Sequence, residues 1–227
     1  VRQLVMDGHE LFVQKSAGLG IGISDEMFIE AGATILNSLE DCFDKGEMII
    51  KVKEPQPEEI ALLRPHHILY TYLHLAADKE LTEGLMKSGS TCIAYETIQY
   101  PDDSLPLLVP MSEVAGRMST QVGTMCLQKD KGGKGILLGG VPGVKRARVT
   151  IIGCGIAGTN AAKMAMGLGA DVTCIDLSTK RLAEMDDLFD NRVTTLYSNA
   201  QNIEEAVLSS DLVIGAVLVA GAKAPKL

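Results

Sequence analysis

The sequence has no cysteines at C-x-x-C spacing, no long basic run and no apolar stretch of membrane-spanning length. Its five cysteines, Cys42, Cys92, Cys126, Cys154 and Cys174, form an odd, scattered set. That argues against a disulfide framework or a zinc site, and for reduced core thiols in a cytoplasmic protein. The longest uncharged apolar run, Leu212 to Ala222, is about half the length a transmembrane helix needs, so no membrane partner is expected. A formal net charge of −8 without a basic cluster makes nucleic acid an unexpected partner, because phosphate binding draws on clustered cations. No repeat of solenoid period is found. What remains is ordinary globular material: 227 residues, 46% hydrophobic and 22% charged, enough for one large domain or two small ones.

Short apolar strands alternate with helical stretches through the first part. Strands are expected at Glu10 to Gln14, Met48 to Val52, Ile68 to Leu73 and Thr91 to Tyr95, with helices at Asp25 to Ala31, Pro57 to Leu63 and Lys79 to Ser88. Such alternation implies an α/β layer with a parallel sheet. The proline-rich loop "YPDDSLPLLVP", Tyr100 to Pro110, cannot stay helical and marks the domain junction, giving domains at 1–108 and 109–227. A helix from Ser112 to about Gln128 carries Val114, Met118, Val122 and Met125 on one face, a stripe most simply read as core packing. Farther on, helices are expected near Lys180 to Phe189 and Ile203 to Ser209, and strands near Arg192 to Tyr197 and at Leu212 to Val217.

The stretch "VTIIGCGIAGTNAAKMAMGLGADVTCID", Val149 to Asp176, is the most informative. A β-branched run leads into Gly153, Gly155 and Gly158 at G-x-G-x-x-G spacing. The first glycine permits a tight turn, the second leaves room for a phosphate, and the third lets helix and strand pack closely. A helix over Thr159 to Leu168 stops at Gly169, and a second strand, Val172 to Ile175, ends at Asp176. An acidic side chain there accepts hydrogen bonds from a ribose 2′-hydroxyl and repels a 2′-phosphate, which points to NAD over NADP. The same glycines would also satisfy a bare strand–turn–helix. The expected fold is two α/β domains with mostly parallel sheets, the second a Rossmann-type dinucleotide-binding domain. Two other glycine clusters, "KGGKG" at Lys131 to Gly135 and "GLGIG" at Gly18 to Gly22, lack the flanking residues of a phosphate loop and read as a flexible turn and a structural loop.

In open α/β sheets ligands collect at the carboxyl ends of the strands. Lys53 in "KVKEP" and His74 in "YLHLAA" stand just past two expected strands. An ammonium can hold a carboxylate or polarise a carbonyl, and an imidazole moves protons near neutral pH. A solvated lysine and a hydrogen-bonded histidine fit the same spacing. Glu54 is either a partner of Lys53 or exposed, while His66 and His67, beside Pro65, read as surface turn residues.

Taken together, "KVKEP", "YLHLAA", "IAYET", "PMSEVAGR", "GGVPGV", the glycine fingerprint and "DLVIGAVLVAGAKAPKL" resemble the alanine dehydrogenase family along essentially the whole chain. The resemblance implies reversible NAD-dependent oxidative deamination of L-alanine to pyruvate and ammonia by a two-domain, hexameric, cytoplasmic enzyme. It implies that Lys53 contacts the substrate carboxylate or carbonyl and that His74 is the acid/base. It places Tyr72 and Met111 in the substrate pocket, and Ser112 and Ser198 against the cofactor. Asp176 and Arg181 fall in the adenosine ribose region, and Val217 and Leu218 on the nicotinamide side. Arg181 is a lysine in some relatives, and Ile23 stands where relatives often have serine. The family's N-terminal arginine, and an aspartate and an asparagine past the position of Leu227, are not in this sequence. With Val1 at its start and about eighty residues after Arg148, the chain reads as cropped at both ends and is expected to be inactive alone. The NAD-binding component of nicotinamide nucleotide transhydrogenase shares the fingerprint but needs no keto-acid pocket, which "KVKEP" and "YLHLAA" supply. A non-catalytic NAD-binding relative is the other alternative.

Overall fold

The computed structural model describes residues 1–217, and two compact units divide at Gln99 and Tyr100. In the first unit, α1 (Arg2–Met6) is followed by β1 (Phe12–Gln14), α2 (Asp25–Glu30), β2 (Thr34–Leu36) and α3 (Leu39–Lys45). Then come β3 (Met48–Ile50), α4 (Pro57–Ile60), β4 (Ile68–Thr71), α5 (Lys79–Ser88) and β5 (Thr91–Ala94). Strands β1 and β2 pair in parallel, and β3-β4-β5 make a second parallel sheet in that order. Side-chain caps start the helices: Ser24 accepts from Met27 N, Ser38 from Asp41 N and Asp78 from Leu81 N. The core of this unit is Phe43, Leu63, Leu69, Leu73, Leu81 and Leu85.

Two elements, β2 and α3, lie where no element was expected. Three residues are too short a strand to show periodicity, and α3 is announced only by Ser38. The surface-turn reading of His67 is also overturned. His67 is buried against the Phe43 ring at 6.0 Å, with Nδ1 accepting from Arg64 N at 3.0 Å. Its ring therefore closes a turn from inside, and burial, helped by the positive neighbours His66 and Arg64, holds its pKa below the ordinary histidine value.

The second unit opens with α6 (Val109–Cys126), then β6 (Arg148–Ile152), α7 (Ile156–Gly167), β7 (Asp171–Asp176), α8 (Thr179–Leu188), β8 (Thr194–Tyr197), α9 (Ala200–Ser209) and β9 (Leu212–Gly215). All four strands are parallel in the order β8-β7-β6-β9. That order puts the first strand beside the fourth, as in one half of a doubly wound sheet. Strand β6 is buried on both faces, with Val149 and Ile151 fully inaccessible and Ala161, Ala162 and Ala165 of α7 covering it. After α7, Gly169 takes φ +84° and Ala170 N donates to Ala165 O, which closes the helix.

Helix α6 corrects the expectation of an apolar stripe in the core. Its buried residues are Gly116, Thr120 and Gly123, while Val114, Met118, Val122 and Met125 face outward. The cause is the closeness of α6 to α7: a Cβ on Gly116 would collide with the Ala157 carbonyl, and Thr120 Oγ1 donates to Ala161 O at 3.1 Å. Only a small face fits there, so the larger side chains turn away. The thiols are all free. Cys154 and Cys174 are buried as expected of core thiols, whereas Cys126, at the end of α6, is exposed.

Candidate functional site

In the second unit the glycine loop joins β6 to α7. Gly153 has φ +95°, a conformation L side chains rarely adopt, and a Cβ there would meet the Ala216 carbonyl and Val217 N at 2.8–2.9 Å. A Cβ on Gly158 would strike the Gly153 carbonyl. At Gly155, the N-cap of α7, a Cβ would meet nothing within 4 Å, so bare backbone lies open at a helix N-terminus. That opening is what a pyrophosphate requires. Asp176 ends β7 and ties the loop down: one carboxylate oxygen accepts from Cys154 N at 2.7 Å, the other from Ser178 N at 2.9 Å. Arg181, on the first turns of α8, donates Nε to the Cys154 carbonyl at 2.7 Å and Nη2 to Thr159 Oγ1 at 2.6 Å. Beneath the loop, the Cys154 thiol donates to the Ile175 carbonyl at 3.6 Å, and the neighbouring Cys154 together with burial holds the Cys174 thiol protonated, its pKa pushed up.

Ser198 follows β8, and its amide donates to the Asp176 carbonyl at 2.9 Å. The structure thus gathers Gly153, Gly155, Gly158, Asp176, Arg181, Ser198 and Val217 at the carboxyl ends of β6 to β9. Met111 and Ser112 sit in the first turn of α6. Leu218 lies outside the described residues. Sequence reasoning passed over Thr159, whose hydroxyl also donates to the loop carbonyls of Cys154 and Gly155. A separate cavity of about 370 Å³, lined by Ile136, Val141, Arg148 and Asp211 among others, lies at the opposite, amino ends of the strands.

In the first unit the carboxyl ends of β3, β4 and β5 carry a second group of polar residues. Buried Thr71 donates Oγ1 to the carbonyls of Val52 and Lys53 at 3.0 and 2.8 Å, fixing the backbone from which Lys53 projects. Lys53 Nζ lies 3.1 Å from Glu54 Oε1 and is otherwise well exposed. The Glu54 backbone amide, Lys53 and His74 together hold the Glu54 carboxyl below its usual range. Of the two open readings of Glu54, the geometry gives the partner of Lys53.

His74 adopts a left-handed backbone, φ +51°, which a β-carbon makes costly. Glu96 holds it there, accepting from Leu73 N at 3.1 Å and from His74 N at 2.6 Å, with Oε1 4.0 Å from His74 Nδ1. The Tyr72 ring stacks parallel to the imidazole at 6.2 Å. Behind it Tyr95 packs edge-on against Tyr70 and Tyr72, and burial raises the Tyr95 pKa. Glu96 lies within "IAYET", but no spacing rule marks it, because its role is to bind a backbone twenty-two residues away.

Residues 1–115 match the family model "Alanine dehydrogenase/PNT, N-terminal domain" and residues 119–227 match "Alanine dehydrogenase/PNT, C-terminal domain". The chain belongs to the alanine dehydrogenase/PNT family. Among curated relatives in that family, an alanine dehydrogenase of Methanococcus maripaludis is 56% identical over 227 residues, 100% of this chain and 61% of its own length. The chain thus spans about three-fifths of the relatives it matches. A solved L-alanine dehydrogenase superposes with a TM-score of 0.91 at 52% identity, covering 99% of this chain and 62% of that one. A transhydrogenase from Sinorhizobium meliloti superposes at 0.81 with 21% identity, covering 99% of this chain and 65% of its own, and shares the fold.

Proposed function

We propose that this chain carries the substrate-side and dinucleotide-binding residues of an NAD-dependent dehydrogenase that converts L-alanine reversibly to pyruvate and ammonia. The observation that carries the substrate assignment is the 56% identity, over every residue, to a protein named alanine dehydrogenase. The two site geometries support the chemistry. The bare backbone at Gly155 and the carboxylate of Asp176 fit a dinucleotide, with Gly153, Gly155, Gly158, Asp176, Arg181, Ser198 and Val217 as the residues to hold it, and Ser112 and Leu218 by resemblance. NAD, when bound, supplies the acceptor for the hydride on the substrate's Cα.

The remaining steps belong to side chains of the first unit. Lys53 neutralises the alanine carboxylate, with Glu54 keeping its ammonium oriented. His74 takes a proton from water as the water adds to the imine carbon, and returns a proton to nitrogen as ammonia leaves. Glu96 and the Tyr72 ring keep the imidazole in one orientation, and Met111 lines the pocket by resemblance. By the same resemblance the protein is a cytoplasmic homo-oligomer, a hexamer. The test is alanine-dependent formation of NADH, with pyruvate and ammonia identified as products. Robust NAD binding without alanine turnover in the whole protein would assign it to the non-catalytic alternative.

A further inference from the structure

We propose that the cavity at the amino ends of β6 and β9 binds a small phosphate monoester with an apolar body, away from the glycine loop at the carboxyl ends of the same strands. Between Asp130 and Asp171 the sequence carries six cations, Lys131, Lys134, Lys145, Arg146, Arg148 and Lys163, and no acid, although the formal net charge of the chain is −8. Three of the six, Lys145, Arg146 and Arg148, line the cavity of about 370 Å³. None of these three side chains forms an ion pair among the described residues. The acid in the lining, Asp211, is already engaged: one carboxylate oxygen accepts from Arg148 N at 3.0 Å and the other from Lys134 Nζ at 3.1 Å. Lys134 thus offsets Asp211, and the charge of the other three stays unbalanced.

The walls of the cavity are pinned by backbone. Ala147 is fully buried and its amide donates to Leu138 O at 2.9 Å, so Arg146 and Arg148, on either side of it, both turn outward. Val144 N donates to Val141 O at 2.8 Å and closes the preceding turn, and Gly140 sits at φ +60° where a Cβ would meet the carbonyls of Val144 and Lys145 at 2.6–2.7 Å. Beside the three cations, Leu137, Val141 and Val144 stand 50–65% exposed on the same cavity. A largely apolar hollow of about 300–1,000 Å³ with a few convergent polar groups is the usual make-up of a small-molecule site. The residue types then select the ligand. A guanidinium fork matches phosphate oxygens in pairs and an ammonium adds a point charge, so three unbalanced cations suit a dianion better than a single carboxylate. The apolar residues call for an organic group on that phosphate, because inorganic phosphate would leave them in water. Charges gathered on one hollow, with no basic track leading from it, fit a small molecule and not a polynucleotide.

Calorimetric titration of the protein with phenyl phosphate at low ionic strength tests the proposal. Saturable binding is expected, weakened by added salt, and Arg146→Gln and Arg148→Gln should each lower the affinity about tenfold or more. Lys87→Gln, on exposed α5 surface, removes the same charge elsewhere and should leave it unchanged. Gly155→Val should also leave it unchanged; loss of binding in that variant would put the phosphate on the glycine loop and overturn the proposal. Should Arg148→Gln disturb β6, the double variant Lys145→Gln/Arg146→Gln, whose residues are exposed and precede the strand, keeps the test open. Inorganic phosphate bound as tightly as phenyl phosphate would overturn the role of the apolar residues, and succinate bound more tightly would overturn the choice of phosphate. No saturable binding to the wild-type protein, or binding that every cavity variant leaves intact, would overturn the site itself.

Discussion

His74 is the residue on which most depends. Its left-handed backbone costs about 1 kcal/mol or more, and two amide bonds to Glu96 hold it. Replacing His74 with alanine should lower turnover of alanine about a hundredfold or more, the usual range for a lost acid/base, and near-normal kcat would end that assignment. The Asp176 carboxylate proposed to bind a ribose also accepts from the amides of Cys154 and Ser178. Asp176→Ser should weaken NAD about tenfold to a hundredfold and narrow the gap to NADP, as read by fluorescence titration of both dinucleotides. An unchanged preference would transfer the ribose contact to another residue. His67 makes a third case. With its folded pKa depressed by burial, the unfolded chain takes up a proton first as pH falls. Its contribution is complete above about pH 6.5 and declines below it. His67→Asn keeps an acceptor for the Arg64 amide and removes the titration, so thermal melts should show a flatter loss of stability between about pH 6.5 and 5.

At the scale of elements, the glycine loop was legible because each of its glycines answers a local demand that sequence spacing records: a positive φ, an open approach and a close packing. Helix α6 was legible as a helix and misread in orientation. Periodicity identifies an apolar face but cannot say that the opposite face, Gly116, Thr120 and Gly123, is the one small enough to reach α7. Strand β2 and helix α3 are too short for periodicity, and Glu96 acts through a contact across the sheet that no local pattern encodes. The packing makes a paired prediction. Gly116→Ala drives a methyl into the Ala157 carbonyl and should cost about 1–3 kcal/mol, while Gly167→Ala, with nothing within 4 Å, should gain up to about 1 kcal/mol through the helix backbone. Chemical denaturation of both variants checks this, and equal effects would contradict the close approach of α6 and α7.

For the whole molecule, the two units have separate cores: Leu69 and its neighbours in one, Val149, Ile151 and the alanines of α7 in the other. The residues proposed to hold the dinucleotide all come from the second, whereas Lys53, Tyr72 and His74 follow the strands β3 and β4 of the first. On the proposed assignment, the dinucleotide contacts rest on the second core and the acid/base and carboxylate contacts on the first. Leu69 is fully buried at the centre of β4, and Leu69→Ala should cost about 2–5 kcal/mol through the cavity it leaves. That strand also carries Thr71, which fixes the Lys53 carbonyl, and leads into Tyr72 and His74. The variant should consequently lose most of its alanine turnover on mild warming, while NAD affinity, measured by titration at the same temperature, stays within about twofold. The reciprocal variant, Gly155→Val, adds a side chain where the native backbone is open. It should leave the thermal midpoint nearly unchanged without nucleotide and abolish the rise that saturating NAD produces, a rise worth about 2.7 kcal/mol at a hundredfold excess over Kd. If Leu69→Ala instead weakened NAD as much as it weakened turnover, the dinucleotide would depend on residues of the first unit, and the division of labour drawn from the two cores would fail.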